Sequence, residues 1–418
     1  MTSGKAYAVR AAHCDHRASE EEVYRTLRRI TDPLARSWEK IQRADKVVIK
    51  LNMMKLPERV VYFEGRRREL VDDAVARAVF RLLREHMRPS AQLVATDTNP
   101  YTPEHLMGHD FNYAPILQEF GVQFVDSNVA PFVSYEVPST GTGGYAGTIG
   151  GLMFDRYTLS ACFADADAMV SVAKMKNHAF MGVTLCMKNL FGLPPITLPA
   201  GRVRTYYHHV IRLPYVLADL GLILQPCLNI VDALTGQSGR EWDGEGRICD
   251  ALLAGDHVTA TDACGTHLMG HDPASDWPTP PFRRDRNHLL IAARRGFGTV
   301  NLDEIDFQSE LPAPLAHFDS VETDSPATVE SWRRTTCEQG LFYRDHRRQL
   351  VDRYRGEFIF LQDGDVVWHG ADPSNLGSRR ELSRDKKDRA LWLKLVDSDE
   401  TEGERFSVYD ECLAAMVA

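Results

Sequence analysis

The stretch "ADAMVSVAKMKNHAFMGVTLCMKNLFG", Ala166–Gly192, reads as an apolar β-strand ending in lysines, followed by a short helix "VTLCMKNLFG" that stops at a glycine. Three lysines, a histidine and two asparagines stand here among residues that otherwise read as core. Lys174 and Lys176 share parity, so an extended chain projects both to one side while Met175 faces the other. The pair is expected to act together on one ligand. Lys188, in the last turn of the helix before Gly192, Pro194 and Pro195, has a second reading as a complement to the helix dipole.

Working outward, the same strand-then-helix order repeats. Upstream, "ASEEEVYRTLRRI" offers Ser19 with Glu22 as a capping box, and "TDPLARSWEKIQ" restarts a helix with Pro33 near its first turn. The strand "KVVIKLNMM" follows, then a helix with Leu70, Val71, Ala74, Val75, Ala78 and Leu82 on one face, the strand "AQLVATD", a helix closing at Gly121 and the strand "VQFVDS". Downstream come the strand "CLNIVDAL" and the helix "HVTATDACGTHLMG". This order predicts an α/β fold with a mostly parallel sheet and helices on both faces. At 418 residues the chain exceeds the size at which a single core usually stops growing. Residues 1–318 are therefore read as the α/β domain, and 319–418 as a small C-terminal α+β addition. In that addition Asp363-Gly364 predicts a hairpin over 357–369.

Composition narrows the function classes. The formal charge is -9 and no basic run marks a phosphate-backbone footprint, so nucleic acid is not an expected partner. The 8 cysteines are scattered with no C-x-x-C pair, which argues against zinc ribbons, iron–sulfur clusters and a disulfide framework. No apolar run approaches the ~20 residues of a membrane span, and the N-terminus lacks a signal-peptide core. A soluble cytoplasmic protein acting on a small molecule is expected, with no membrane partner.

Every strand of the parallel set ends in polar residues, and in open α/β sheets ligands collect at the carboxyl ends of strands. Lys50, Asn52, Asp97, Lys174, Lys176, His178 and Asp232 are thus candidates for one shared cleft. Lys176, His178 and Lys188 are the catalytic candidates, with a lysine pair holding the pKa of His178 down. Lys50, Asn52, Asp97, Lys174, Asn189 and Asp232 are ligand-binding candidates. So are Arg204, His208 and His209 from "AGRVRTYYHHVIRLPYVLADL", whose cationic and aromatic side chains suit an anionic, unsaturated or aromatic molecule.

Histidines raise a metal alternative. His267 and His271 have i, i+4 spacing, although Gly270 between them is placed to end the helix. His13 to His16 and the pair His208 and His209 are similarly open, and Asp256 reads better as an N-cap. No cofactor is expected, with a divalent metal as the alternative. The glycine-rich Ser139–Gly151 matches no nucleotide-binding pattern and reads as a loop over the cleft.

Lys174, Lys176 and His178, then Lys188 to Gly192, Ile230 to Asp232, Asp256 to Asp262 and Met269 to Pro273, occur in the order seen in the domain of unknown function 362 family. Lys50 and Asn52 resemble that family's early K-x-N element. The resemblance covers about Asp45 to Pro273 and implies a fold and a site more than a reaction. Many members carry C-x-x-C-x-x-C clusters that this chain lacks, which argues against the electron-transfer role that the resemblance implies. Where the family commonly has an E-G-x-G-P turn, "LTGQSGREWDGEG" stands here, which suggests a specialised ligand.

Taken together, the residues predict an enzyme that acts on a small carboxylate or phosphate by lysine and histidine acid–base chemistry, of lyase or isomerase type. The alternatives are a metal-dependent oxidoreductase or hydrolase, and a non-catalytic ligand-binding module.

Overall fold

The computed structural model describes residues 5–53, 55, 57–98, 113–138, 150–196, 204–373, 379–383 and 386–417; most of the glycine-rich stretch, 139–149, lies outside them. A nine-stranded sheet forms the centre. Its long path uses β1 (Tyr7–His13), β2 (Lys46–Leu51), β3 (Gln92–Asp97), β4 (Gln123–Asp126), β5 (Ala168–His178), β6 (Leu228–Ser238), β7 (Glu245–Gly255) and β8 (Ile305–Ser309). The order across the sheet is β8-β1-β7-β6-β5-β2-β3-β4. Strands β6, β5, β2, β3 and β4 pair in parallel. Strand β7 runs antiparallel to both β6 and β1, while β8 is parallel to β1. The fold is therefore α/β with a mostly parallel sheet, as expected, while β1, β7 and β8 extend it beyond the expected set.

Strand parity divides the core in two. Val47, Ile49, Leu51, Val170 and Val172 pack on one face with the helices α1 (Glu20–Thr31), α2 (Ala35–Arg43), α3 (Asp73–His86) and α4 (Ala114–Glu119). Val48, Met169, Ala173 and Met175 pack on the other with α5 (Cys186–Asn189), α6 (Arg212–Leu224), α7 (Val258–Leu268) and α8 (His288–Arg294). All eleven residues of β5 are buried, which is why it reads as continuous core rather than as an alternation. Among the described residues, no helix is long and apolar enough to cross a membrane.

Local signals explain the ends of several elements. At α1, Ser19 and Glu22 form the full capping box. Asp256 does not cap α7: the N-cap is His257 without a side-chain bond, and the Asp256 carboxylate accepts from Ala8 N at 2.9 Å and pairs with Arg36 at 2.6 Å. It ties β1 to α2 instead. The expected helix "VTLCMKNLFG" is shorter than read, because Gly182–Thr184 folds back as a strand on β5 and only Cys186–Asn189, with a 3-10 turn over Leu190–Gly192, is helical.

The C-terminal residues form α9 (Pro326–Tyr354), a three-stranded antiparallel sheet of β9 (Phe358–Gln362), β10 (Asp365–Gly370) and β11 (Trp392–Leu395), and α10 (Ser407–Val417). Asp363 and Gly364 both take positive φ, 51° and 84°, as the two-residue turn between β9 and β10 requires. Phe358, Trp392 and Tyr409 join the same apolar cluster as α6. Beside it lies a sealed charge network. Lys394 donates to Glu400, Glu402 and Glu404 at 2.8, 2.7 and 2.7 Å, and Arg212 reaches Glu404 at 2.8 Å. The Tyr206 hydroxyl donates to Glu402 at 2.9 Å.

Candidate functional site

A cleft of about 820 Å³ opens at the carboxyl ends of β2, β3 and β5. Lys50 and Asp97 come from the first two strands, and Lys176 and His178 from the third. Lys188 and Asn189 come from α5, while Arg204 and His208 come from the segment leading into α6. Asn52 also lines the cleft.

Not all of these side chains are available to a ligand. Lys50 Nζ donates to Leu51 O at 2.7 Å and Asn189 Oδ1 at 3.0 Å, and pairs with Asp97 at 3.0 Å. Burial holds its ammonium below the usual lysine range, against the pull of Asp97. Asn189 Nδ2 in turn donates to Lys50 O, Ser171 Oγ and Val172 O, so it stitches α5 to β2 and β5. These residues build the floor. Gly192 crosses directly above them without a positive φ. A Cβ there would meet Lys50 Cε at 2.6 Å and Asp97 Oδ1 at 2.8 Å, so its glycine serves close approach rather than a left-handed cap. Gly192→Ala is expected to force this ion pair apart and lower stability by about 1–3 kcal/mol, read as a shifted urea midpoint with unchanged slope.

Three cations differ from Lys50. Among the described residues, Lys176, Lys188 and Arg204 have no carboxylate within ion-pair distance. Lys176 is 2% exposed and donates to Glu69 O at 2.8 Å and weakly to Asn52 Oδ1 at 3.4 Å. Its ammonium lies 4.7 Å from the centre of the Trp242 ring, whose other cationic neighbour is Lys55 at 5.0 Å. Burial lowers the Lys176 pKa to about 7; Glu69 and Glu241 oppose the shift, and Lys188 and Lys174 add to it. Lys188 is half-buried over the Phe191 ring, with no hydrogen-bond partner among the described residues. Burial, opposed by Glu241 and aided by Arg204 and Lys50, brings it to about 8. The Arg204 guanidinium donates to Gly192 O at 2.8 Å and Pro194 O at 3.2 Å, and burial lowers it to about 10.

His178 is held differently from the expected proton carrier. Its Nδ1 accepts from Phe180 N at 3.0 Å and Met181 N at 3.2 Å, which assigns the neutral ring's proton to Nε2. Protonating Nδ1 would set a third N–H against two donors. Burial, with Lys188, His208 and Lys176 nearby, pushes its pKa well below the usual value. His178 thus offers an N–H donor at neutral pH rather than a base. His208 stands edge-on between Phe180 and Phe191, at 4.9 and 5.6 Å between ring centres, and gives the cleft an aromatic wall.

Three expected ligand-binding residues are placed elsewhere. Lys174 and Asp232 form an ion pair of 3.1 Å with both side chains fully buried. Lys174 also donates to Thr235 Oγ1 at 3.2 Å, and Asp232 accepts from Asp72 N at 2.7 Å. Lys174 does lie on the side of β5 that Lys176 uses, but one rung deeper, sealed by its partner. His209 is buried against the C-terminal addition, with Nε2 2.6 Å from Leu391 O. The helix of His267 ends at Leu268, and Gly270 takes φ +87°. Both His267 and His271 face a separate open cleft of about 630 Å³. Among the described residues, the group with metal-ligand spacing is Asp15, His16 and Asp250 rather than this pair.

The residues that sequence reading missed are Lys55, Glu69, Glu241 and Trp242. Glu69 is buried beside Lys55 and Arg68 and accepts from Asp243 N at 2.7 Å, which pins the Trp242 loop to the rim. Glu241 accepts from Ala179 N at 3.0 Å. The available signal was the replacement of the expected glycine-rich turn by "REWDGEG".

Asp262 positions the helix that carries Lys188. Its carboxylate accepts from Cys186 N at 2.9 Å and Met187 N at 2.7 Å, and so caps α5 from α7.

A family profile described as "Domain of unknown function (DUF362)" matches residues 47–267. A thylakoid-associated protein of Synechocystis sp. is 25% identical over 259 residues, which is 60% of this chain and 71% of that protein.

Proposed function

The chain belongs to the DUF362 family, and from that premise we propose that its cleft binds a small organic carboxylate or phosphate and moves a proton on it, chemistry of lyase or isomerase type. The observation behind this reading is the convergence of Lys176, Lys188 and Arg204 on one cleft with no carboxylate within ion-pair distance among the described residues. The Glu69 and Glu241 carboxylates attract these lysines only from beyond contact, and buried cations that lack a contact partner are costly unless an anion completes the site. In this reading Lys188, Arg204 and the Nε2–H of His178 hold the anionic group. Lys176 exchanges the proton, since a group with a pKa of about 7 is close to the optimum for general acid–base work at neutral pH. Phe191, His208 and Trp242 supply flat surfaces for an unsaturated or aromatic body.

Lys176→Met tests it. Methionine keeps most of the apolar stem and removes a charge that burial already disfavours, so the urea midpoint should be retained. Affinity for the small molecule released from the purified protein and identified by mass spectrometry should fall at least tenfold, about 1.4 kcal/mol. In the parent, anion affinity should decline as pH rises through about 7 and about 8, because each ammonium lost removes attraction. The lower step should vanish in the variant. Unchanged affinity would sink the assignment.

A further inference from the structure

Lys188 is unlike its neighbours. Lys50 is held by three acceptors and Lys176 by two, whereas Lys188 Nζ has no hydrogen-bond partner among the described residues and is half-buried in the cleft. Its backbone is nevertheless firmly placed. Asp262 caps the first turn of its helix, and Ser171 Oγ donates to Cys186 O at 3.0 Å. A fixed helix thus presents an amine whose lone pair, once the proton leaves, is engaged by none of the described residues.

We infer that Lys188 is a covalent catalyst that forms a Schiff base with the carbonyl of a 2-oxo or 3-oxo acid. The inference rests on the anion-binding reading and names its substrate class. Arg204 and the Nε2–H of His178, which line the same cleft as Lys188, would hold the carboxylate while the carbonyl meets Lys188. Neutral Nζ attacks the carbonyl carbon; a C–N bond forms and the carbonyl π pair moves to oxygen, which takes a proton from the Lys176 ammonium. Loss of this oxygen as water, with a second proton from solvent and release of one amine proton, leaves a protonated imine. Overall one carbonyl, one amine and one proton become one iminium and one water. In a 3-oxo acid the iminium takes up the electron pair released as CO2 leaves, and in either acid it takes up the pair released when the now neutral Lys176 removes a proton from the carbon beside it; a proton returned to that carbon, and then water, regenerate the carbonyl and the amine. Crowding by Arg204 and Lys50 in a desolvated setting is a recognised way to make a lysine nucleophilic. With a pKa of about 8, roughly one Lys188 in ten is neutral at pH 7.

The test incubates the full chain with pyruvate, and separately with acetoacetate, adds sodium borohydride, and maps the reduced adduct by peptide mass spectrometry. Phosphate binding is titrated alongside. The expected result is one adduct per chain on Lys188, forming fastest between about pH 7 and 8, because the step needs neutral Lys188 and the Lys176 ammonium together. Lys188→Arg, which keeps a cation but cannot form an imine, should lose the adduct. Phosphate binding without an adduct from either oxo acid overturns the covalent step and leaves the anion reading standing. An adduct on Lys176 overturns the choice of lysine. Absence of both phosphate binding and adduct removes both readings.

Discussion

Lys174→Met is expected to destabilise the protein by about 3–5 kcal/mol, although it differs from Lys176→Met by only two positions on the same strand. The difference is depth. Lys174 and Asp232 are both fully buried and 3.1 Å apart, so methionine at 174 leaves Asp232 ionised with no cation. Burial already raises the Asp232 pKa, and Lys174 is the main opposing influence. Two backbone bonds, from Asp72 N and Leu234 N, remain to the stranded carboxylate. They do not replace a charge partner. The double variant Lys174→Met, Asp232→Asn should recover most of the loss, because it removes the second charge while keeping an acceptor for Asp72 N. Urea midpoints of the two singles and the double form a cycle that measures this coupling. A loss under about 1 kcal/mol in Lys174→Met would show that Asp232 is not held ionised by Lys174.

The second large effect belongs to the charge network under the C-terminal sheet. Lys394→Met takes the shared cation from Glu400, Glu402 and Glu404, all buried or nearly so, and should also cost about 3–5 kcal/mol at pH 7. Its pH dependence has a definite sign. In the parent, Arg212 and Lys394 hold Glu404 down to about 2 against the upward push of burial, so that glutamate's contribution is full at neutral pH and is lost as pH falls from about 4.5 toward 2. In the variant, Glu400, which burial already raises against the pull of Lys394, loses that opposing cation and rises further. Raised carboxyl groups favour the folded state at low pH and lose that advantage as pH rises through the folded pKa. The gap between variant and parent should therefore narrow from pH 8 to pH 5. A constant gap over that range, measured by thermal or urea unfolding, would count against the network as drawn. Anion binding should weaken too, because Tyr206 and Arg212, which the glutamates hold, flank the turn that carries Arg204 and His208.

What could be read in advance follows from how local each signal is. Strands β2, β3, β5 and β6 announce themselves as apolar runs because both of their faces are covered. Strand β7 does not: its first half is partly wet, and Asp250 interrupts it with φ +50°. Parity placed Lys174 and Lys176 on the same side, yet period two carries no information about depth. The register between β5 and β6 shifts past Asp232, so that Lys176 pairs with Gln237 and reaches the rim while Lys174 stays below. Adjacent His208 and His209 diverge because the short helix Arg204–Tyr207 ends just before them. Lys50, Asp97, Lys176, His178 and Lys188 were legible as polar groups at strand or helix ends, and Arg204 as one of the cationic and aromatic residues of the segment leading into α6. Glu241 and Trp242 were not, since they reach Lys176 only through a loop far along the chain.

The first strand has a consequence for biosynthesis. Val9 pairs with Gly255, 246 positions later, and β1's other neighbour is β8, later still. At the usual pace of a ribosome, ~5–20 residues per second, β1 waits roughly 12–50 s for β7 and longer for β8. Meanwhile β2, β3 and β4, with α3 between the first two, can pair as they emerge. The nascent chain therefore carries an unmated N-terminal β-segment that must be kept from foreign edges until β7 arrives, and insertion of β1 between β7 and β8 is the step that closes that end of the sheet.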